Sequence, residues 1–440
     1  MPSQRGPGKV DCLMRVVHLL RKLNSAEWGG TETAMQRLVG GLHRHGVESV
    51  VYCPQLDPAG PPEPFGAGCS VRRFHACCPV WGVSAERRRQ MLAVGGNLMS
   101  FDLLPRLWRE PDVAIMHTHA LGRLGGMASM AARWRGLPLV VTIHGGLLDL
   151  SAPGQAGLAP GAAGGWEWGK LFGLLLQSRR LLHQADAILV CNPTEAALLR
   201  EKYPGRRIVL QPHGVPVETY QRDCREAAHN AFPEIAGRSL LLSVGRIDPV
   251  KNQRWLVEQA PEMFRRHPHA LLVLAGACTD EAYGAALHSR ITERGLRHHV
   301  FLTGGLPPAD PRLIGLMQAA SVVLLPSLSE TFGLVILEAW AAGAAVIATR
   351  TSGAASLIRP GQNGWLFDLN NAPAFHEAVD EALHQPAATA RLAAAGRELA
   401  CAEYDTTVLA GRMKRLYEDL IEEKGETCAT SSCAMTTRMR

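Results

Sequence analysis

Short runs of apolar, β-branched residues alternate along most of the chain with longer segments that have the hydrophobic period of an amphipathic helix. Strands buried on both faces are apolar throughout, and their alternation with helices is typical of parallel sheets. The runs predict strands over 15–20, 49–53, 113–117, 139–144, 187–191 and 208–212 in the first half, and over 239–244, 270–275, 300–303, 321–325 and 345–348 in the second. The pattern therefore predicts an α/β protein with two tandem Rossmann-like domains.

The alternation stops over the polar, proline-containing segment 216–236, which we interpret as a linker. It separates an N-terminal domain over 11–215 from a C-terminal domain over 237–405. A Gly/Ala/Pro run over 151–165 predicts a mobile loop, and the small polar residues over 425–440 predict a disordered tail. Ligands of such sheets bind beyond the carboxyl ends of the strands. We therefore expect functional side chains just after strands, with the two domains facing each other across a deep cleft.

The sequence PSLSETFGLVILEAWAAG follows the predicted strand 321–325 and holds the strongest candidate site. Glu330 lies in the loop, Phe332 and Gly333 open a helix, and Glu338 lies inside that helix. Amides at a helix start bind anions such as a diphosphate. Glu338 can accept hydrogen bonds from ribose hydroxyls, and Glu330 from those of a sugar. The structural alternative is that Glu330 caps the helix and that Glu338 is solvated.

A second loop, SVGRIDPVKNQ, follows the predicted strand 239–244 and contains Arg246 and Lys251. Two cations there can neutralise charge on a departing diphosphate. Surface cations on a turn are the simpler interpretation of this loop taken alone. The sequence has no Asp-x-Asp pair that could clamp a divalent ion. We therefore expect protein cations to replace a metal, and predict neither a metal nor a cofactor.

One glycine-containing loop of the first half is a further candidate for phosphate binding. Gly29 and Gly30 precede a predicted amphipathic helix, where glycines let the backbone approach a phosphate closely. Thr31 is a candidate N-cap of that helix. The structural alternative is that the segment only caps the helix and binds no phosphate.

Three histidines end neighbouring predicted strands of the first half. His144 ends the strand over 139–144 and can hydrogen-bond a sugar hydroxyl or assist an acceptor. His117 and His119 end the preceding strand. No acidic or cysteine partner accompanies them, which disfavours a metal site.

Composition narrows the classes of partner. The formal charge of +6 is mild and the arginine clusters have no interleaved aromatic residues, so we expect no nucleic acid. The eleven cysteines include no Cys-x-x-Cys pair, and neither a signal peptide nor a long apolar stretch is present, which favours the cytoplasm. The basic amphipathic stretch over 170–182 is expected to face the core. Peripheral contact with the inner membrane face stays the alternative.

Taken together, these motifs resemble the signature of the family-four retaining glycosyltransferases of the GT-B fold. The resemblance covers the chain from about residue 11 to about residue 423. The matching motifs, in chain order, are Gly29–Gly30, His144, Arg246 with Lys251, and the run from Glu330 to Glu338.

The resemblance implies transfer of a hexose-type sugar, with retention, from a nucleotide-sugar donor to a saccharide or lipid-linked acceptor. UDP- and GDP-sugars are favoured, and the front-face route needs no protein nucleophile. Arg246 and Lys251 would then hold the diphosphate. The family's C-terminal helix, which matches 407–423 here, crosses back to the first domain.

The other implied roles follow the same order of motifs. Glu330 would contact the donor sugar, Glu338 the ribose, and the backbone of Phe332, Gly333 and Leu334 the phosphates. Gly29 and Gly30 would pass close to the phosphates, and His144 would line the sugar pocket.

Three other functions remain open from the sequence. A nucleotide-sugar epimerase or hydrolase on the same fold would need acid and base carboxylates, and none is well placed. A glycogen-phosphorylase-like enzyme would need a pyridoxal lysine, which we cannot identify. A non-catalytic sugar-nucleotide binding protein is the alternative from a different class.

Overall fold

A computed structural model describes residues 14–23, 28–55, 65–84, 88, 91, 98–145 and 166–438. The predicted loop over 151–165 lies outside these residues. The chain folds into two compact units. Unit 1 comprises Met1–Val190, Glu195–Gln211 and Ala410–Arg440, and unit 2 comprises Cys191–Thr194 and Pro212–Leu409. Each contains a parallel sheet flanked by helices, which confirms the predicted pair of Rossmann-like domains.

The sheet of unit 1 has seven parallel strands in the order β3-β2-β1-β5-β6-β8-β9. The strands of this part of the chain are β1 (Met14–Leu19), β2 (Val47–Pro54), β3 (Cys69–Phe74), β4 (Val80–Trp81), β5 (Val113–Thr118), β6 (Leu139–Ile143), β7 (Trp166–Glu167), β8 (Ala187–Val190) and β9 (Ile208–Leu210). The helices are α1 (Gly30–Arg44), α2 (Leu103–Arg109), α3 (Gly122–Arg135), α4 (Lys170–Leu175), α5 (Leu181–Gln184) and α6 (Pro193–Lys202). The strand order reverses between β1 and β5, and ligands of such sheets bind at a reversal point.

The sheet of unit 2 has six parallel strands in the order β12-β11-β10-β13-β14-β15, and its order reverses between β10 and β13. The strands are β10 (Ser239–Val244), β11 (Ala270–Ala275), β12 (Val300–Gly304), β13 (Val322–Leu325), β14 (Val346–Thr349) and β15 (Trp365–Phe367). The helices are α7 (Val217–Gln221), α8 (Arg225–Ala231), α9 (Gln253–Arg266), α10 (Glu281–Glu293), α11 (Pro311–Ala319), α12 (Leu334–Ala342), α13 (Ser352–Leu357), α14 (Ala372–His384) and α15 (Pro386–Glu403).

Alternate side chains of the central strands pack into different layers of unit 2. In β10, Leu240 and Leu242 join the cluster that contains Trp340, whereas Leu241 joins the cluster that contains Phe375. This is the two-residue period of a strand with helices on both faces. Each fully buried leucine contributes roughly 1.5–3 kcal/mol, so the sheet is a rigid base for the loops at its carboxyl edge.

The segment 216–236 differs from the linker that we predicted. It forms α7, α8 and a 3₁₀ turn at Pro233–Ile235, all within unit 2. Tyr220 and Ala228 are fully buried in the core of that unit. Apolar residues recur among the polar ones at helical spacing, and their burial outweighs the overall polarity of the segment.

The C-terminal segment also differs from the prediction, because helix α16 spans Thr406–Arg438 and includes most of the predicted tail. No proline interrupts it, and small polar residues cost only a few tenths of a kcal/mol each within a helix. Met413, Tyr417 and Leu420 of α16 pack in one cluster with Val16 and Ile115 of unit 1.

Candidate functional site

The loop after β13 carries Glu330 and is fixed by hydrogen bonds to its own carbonyl groups. The Thr349 hydroxyl donates to the carbonyl of Ser327 at 2.6 Å, and the amide of Gly353 donates to that of Glu330 at 2.8 Å. A side chain at Gly353 has no room, since a Cβ there would lie 2.5 Å from the amide nitrogen of Phe332. The position of Glu330 is therefore set by the fold of unit 2.

Gly333 joins this loop to helix α12. Its φ of 96° lies in the left-handed region, which favours glycine, and the helix begins at Leu334. The first amides of a helix have no intrahelical acceptor and favour an anion. The side chain of Phe332 is buried and packs edge-on against His213. Phe332 and Gly333 can therefore serve a ligand only through their backbone groups.

Lys251 and Glu330 form an ion pair, with 2.5 Å between Nζ and Oε2. They lie on the loops after β10 and β13, which are adjacent strands at the reversal point of the sheet. Their side chains are only 21% and 24% exposed. A cation and a hydrogen-bond acceptor thus lie side by side where parallel sheets bind ligands.

Asp248 connects the two predicted cations, although the sequence analysis did not single it out. One carboxylate oxygen accepts a hydrogen bond from the Lys251 amide at 2.9 Å, and the other lies 3.2 Å from the Arg246 guanidinium. Asp248 is buried, whereas the Arg246 side chain is 55% exposed. The aspartate therefore orients an arginine that solvent would otherwise leave mobile. Its position between the two cations in the sequence was the signal that could have identified it.

Glu338 lies in the second turn of α12 and is 7% exposed. Its sequence neighbours Leu337 and Ala339 are fully buried. The structural alternative of a solvated helix position is therefore wrong for Glu338. Carboxylates are rarely buried to this extent without polar partners, which keeps this residue among the candidates.

In unit 1, Gly29 and Gly30 lie at the start of helix α1, with Gly29 as its N-cap. The N-cap that we predicted, Thr31, is already inside the helix. The amide of Gly29 donates to the buried carboxylate of Glu32 at 3.1 Å. Because Glu32 occupies this donor, an incoming phosphate would have to use later amides of the turn. Glu32 was missed by the sequence analysis, although its place three residues after the cap is typical of a capping carboxylate.

His144 follows β6 and His119 follows β5, and the two side chains are in contact. His119 Nδ1 lies 3.0 Å from His144 Nε2. His117 is instead held by side chains of unit 1. Its ring nitrogens lie 2.7 Å from the Tyr417 hydroxyl and 2.6 Å from the Thr142 hydroxyl. Burial lowers the pKa of His117 well below its usual value, so its ring is neutral.

A fourth histidine, His18 of β1, belongs to the same cluster and was also missed. Ring nitrogens of His18, His117 and His119 lie within 4.8 Å of one another, a spacing that could hold a metal ion. Both nitrogens of His117 face hydroxyl groups, and His18 Nδ1 lies 3.3 Å from His119 Nε2. Among the described side chains, these contacts arrange the cluster as a hydrogen-bonded set.

Comparison with known proteins matches both halves of the chain to glycosyltransferase families. Residues 29–214 match the model of the glycosyl transferase 4-like domain, and residues 225–399 that of the glycosyl transferases group 1. The D-inositol 3-phosphate glycosyltransferase of Gordonia bronchialis is 30% identical over 394 residues, which are 86% of this chain and 81% of that protein. The chain belongs to the family-four GT-B glycosyltransferases.

Solved structures agree with this fold. The Anabaena protein Alr3699/HepE, solved in complex with UDP and glucose, superposes with a TM-score of 0.68 at 17% identity, over 92% of this chain and 100% of that chain. The sucrose-phosphate synthase of Thermosynechococcus elongatus gives a TM-score of 0.69 at 22% identity, over 93% and 100%.

An apolar patch lies on the surface of unit 1 of this glycosyltransferase. We expected the stretch over 170–182 to face the core, and Leu176, Leu181 and Leu182 are buried there. Helix α4 instead leaves Leu171, Leu174 and Leu175 exposed, with Leu174 at 74%. The expectation is therefore wrong for α4 only, which has six residues and after which Gln177, with a φ of 50°, turns the chain away. In the described parts of the chain, no helix is both long and apolar enough to cross a membrane.

Proposed function

We propose that this glycosyltransferase moves a hexose-type sugar, with retention of anomeric configuration, from a nucleotide-sugar donor to a saccharide or lipid-linked acceptor. The observation that carries the proposal is the contact of Lys251 with Glu330 at the strand-order reversal of unit 2. Arg246, Lys251 and the backbone at Phe332–Leu334 would hold the diphosphate. Glu330 would accept from hydroxyls of the sugar and Glu338 from those of the ribose.

In the proposed step, the acceptor hydroxyl attacks the anomeric carbon from the face on which the diphosphate departs. The bond from that carbon to the phosphate oxygen breaks, and the phosphate oxygen takes the proton of the hydroxyl. The negative charge that develops on the leaving group is stabilised by Arg246 and Lys251. No protein nucleophile is needed, so Glu330 acts by orienting the sugar.

In this proposal, residues of unit 1 would also contact the donor. His144 would hydrogen-bond the transferred sugar, and the start of α1 at Gly29 and Gly30 would approach the phosphates. The position of Gly30 supports this, because it is exposed at the start of α1. The Gly29 amide serves the capping carboxylate, so we assign phosphate binding to the amides that follow it.

The alternatives differ in what the site should contain. An epimerase or hydrolase should have an acid and a base carboxylate at the donor, whereas Glu330 is paired with Lys251 and Asp248 with Arg246. A non-catalytic binding protein would hold the donor without transfer. Among the described residues, each of these carboxylates contacts a cation and not a second carboxylate, which favours transfer over acid–base chemistry.

A donor screen followed by product analysis tests the proposal. UDP-, GDP- and ADP-sugars should raise the melting temperature more, the more tightly they bind, and we favour the UDP- and GDP-sugars. The best donor is then incubated with saccharides, lipid-linked saccharides and D-inositol 3-phosphate, the compound named for the relative in Gordonia bronchialis. The anomeric proton of the product should show the configuration of the donor. Inversion, or hydrolysis without transfer to any acceptor, would contradict the proposal.

We also propose that transfer needs no divalent metal. The support is the absence of an Asp-x-Asp pair from the sequence and the presence of two cations on the loop after β10. Transfer should proceed at an unchanged rate in EDTA. Loss of activity in EDTA that Mg²⁺ or Mn²⁺ restores would show that a metal contributes.

The apolar patch supports peripheral contact with an anionic membrane as a further part of the proposed function. Exposed Trp81 and Phe101 join the leucines of α4 through ring contacts with Trp168 and Phe172. Arg179 and Arg180 are exposed immediately after this patch. Apolar side chains with adjacent cations fit the interface of an anionic bilayer, and such contact would bring the enzyme to a lipid-linked acceptor.

Co-sedimentation with vesicles tests the membrane contact. The protein should sediment with vesicles that contain phosphatidylglycerol, and less with vesicles of phosphatidylcholine alone. Leu171→Ser with Leu174→Ser should abolish sedimentation, while Leu198→Ser, at an exposed leucine of α6, should not. Equal sedimentation of the patch variant and the parent would refute the membrane contact.

A further inference from the structure

The carboxyl ends of three adjacent strands of unit 1 bring three histidines into a line. His18 lies in β1, His119 follows β5 and His144 follows β6, and these strands are neighbours in the sheet. The border of β1 and β5 is also where the strand order reverses. The cluster thus occupies the ligand-binding edge of the sheet, but His18 is fully buried and cannot contact a ligand itself.

The three rings are connected through their edges. His18 Nδ1 lies 3.3 Å from His119 Nε2, and His119 Nδ1 lies 3.0 Å from His144 Nε2. The ring planes of the two pairs are inclined by 28° and 29°, and the ring centroids lie 5.5 and 5.1 Å apart. Such an arrangement directs the N–H of one ring at the in-plane lone pair of the next. At the inner end, His18 Nε2 lies 3.5 Å from the Ser49 hydroxyl.

A neutral imidazole has one donor and one acceptor nitrogen, so each contact between two rings needs one of each. Only two arrangements satisfy both contacts at once. In the first, His18 donates to His119 and His119 donates to His144, which places the proton of His144 on Nδ1. In the second, every bond is reversed and Nδ1 of His144 carries a lone pair. The tautomers of the three residues are therefore coupled.

We propose that His119, supported by His18, is a positioning residue that fixes which nitrogen of His144 carries the proton. Because His119 occupies Nε2 of His144, it decides whether Nδ1 donates or accepts. The inference rests on the proposed function only for the identity of the group that His144 meets, a sugar hydroxyl or a phosphate oxygen. A phosphate oxygen only accepts hydrogen bonds, so it requires the tautomer with the proton on Nδ1 of His144. A hydroxyl group both donates and accepts, so it can pair with either tautomer. His117 is outside the coupling, because its nitrogens face Tyr417 and Thr142.

The buried end of this set supplies no charge. Burial lowers the pKa of His18 to about 3, so its ring is neutral at physiological pH. His18 therefore acts on His119 through its hydrogen bond and not through charge.

Nitrogen-15 NMR of the full chain with labelled histidines tests the proposal without any substrate. In the parent protein the two ring nitrogens of His144 should have the separated shifts of a single tautomer. In His119→Phe, which cannot hydrogen-bond, they should move toward the averaged shifts of an exposed histidine. His119→Gln offers both a donor and an acceptor and should restore the separation. His183→Phe removes an exposed histidine of α5 and should leave the His144 signals unchanged.

Activity provides the second measurement. His119→Phe should lower kcat about tenfold or more with little change in donor affinity, and His119→Gln should recover most of it. Unchanged His144 shifts in a folded His119→Phe protein would overturn the inference, whatever the activity. Altered shifts together with normal turnover in His144→Ala would instead uphold the coupling and refute the role of His144 in the proposed function.

Discussion

Lys251 and Glu330 are 79 positions apart in the sequence, yet Nζ of the lysine lies 2.5 Å from a carboxylate oxygen of the glutamate. Neither side chain is fully exposed. The pair joins two loops for which the sequence separately predicts contact with the diphosphate and with the sugar of a donor. In this arrangement each charge partly compensates the other. When a donor is bound, Lys251 would contact both the donor phosphates and Glu330.

Replacing Glu330 should stop sugar transfer while the protein stays folded. Loss of one positioned polar contact in a dry site costs about 2.7–4 kcal/mol of transition-state stabilisation. We therefore expect Glu330→Ala to lower kcat/KM for the donor about 10²–10³-fold, with an unchanged melting curve. Glu201→Ala, at an exposed position of α6, is the matched control. Near-normal turnover in purified Glu330→Ala would remove this residue from the site.

Asp248→Asn should weaken binding of the nucleoside diphosphate. The amide can still accept from the Lys251 backbone but no longer attracts the Arg246 guanidinium by charge. We expect about a tenfold loss of affinity, or about 1.4 kcal/mol, measured by calorimetry. Asp223→Asn, whose partner is the exposed Arg225, should have no effect. If the two substitutions have the same effect, the proposed orientation of Arg246 is wrong.

Three glycine-to-alanine substitutions should affect the free energy of unfolding in a fixed order. Gly40→Ala should stabilise by up to about 1 kcal/mol, because alanine loses less backbone entropy inside a helix. Gly343→Ala should destabilise by about 1–2 kcal/mol through its φ of 86° alone, since nothing lies within 4 Å of the new Cβ. Gly333→Ala should cost more, because its φ is 96° and its Cβ would lie 2.8 Å from Ile336. Urea unfolding measures all three, and a neutral Gly333→Ala would contradict the geometry of the turn.

Mild acid should destabilise the protein because His18 is buried in its neutral form. Burial lowers the pKa of His18 to about 3, compared with a usual value of 6.5. The unfolded chain therefore binds the extra proton between these values. The free energy of unfolding should fall by roughly 1.4 kcal/mol per pH unit for this residue as the pH drops below about 6.5.

Urea unfolding of the parent and His18→Gln at about pH 7.5 and about pH 5.5 checks this dependence. The free energy of unfolding should change less between the two pH values in His18→Gln than in the parent protein. Equal changes would show that the folded protein does not hold His18 in its neutral form.

The sequence predicted the central strands well, because buried parallel strands are long apolar runs, and the candidate donor loops directly follow two of these strands. It missed the edge strands β3 and β15. Their residues are shorter or more polar runs, as in Cys69–Phe74, where two arginines interrupt the apolar pattern. It also misassigned 216–236, since seven-residue helices such as α8 show too few turns for a clear period.

Within the candidate site, the residues missed were those that hold others in place. These residues are Asp248, Glu32 and His18, which contact Lys251, Gly29 and His119 in that order. The first two contacts join residues three positions apart, a spacing that is common in turns and at helix starts and that the sequence could have suggested. The contact of His18 with His119 spans 101 positions and depends on the pairing of β1 with β5. Only the folded sheet could reveal it.

The most direct test of the donor site is the affinity of Lys251→Ala for a nucleoside diphosphate. UDP, GDP and ADP are first compared by thermal shift, and the best ligand is titrated into the parent protein, Lys251→Ala and Lys202→Ala, which removes an exposed lysine of α6. We predict at least a tenfold increase of Kd in Lys251→Ala and no change in Lys202→Ala. An unchanged Kd in folded Lys251→Ala would show that the diphosphate binds elsewhere.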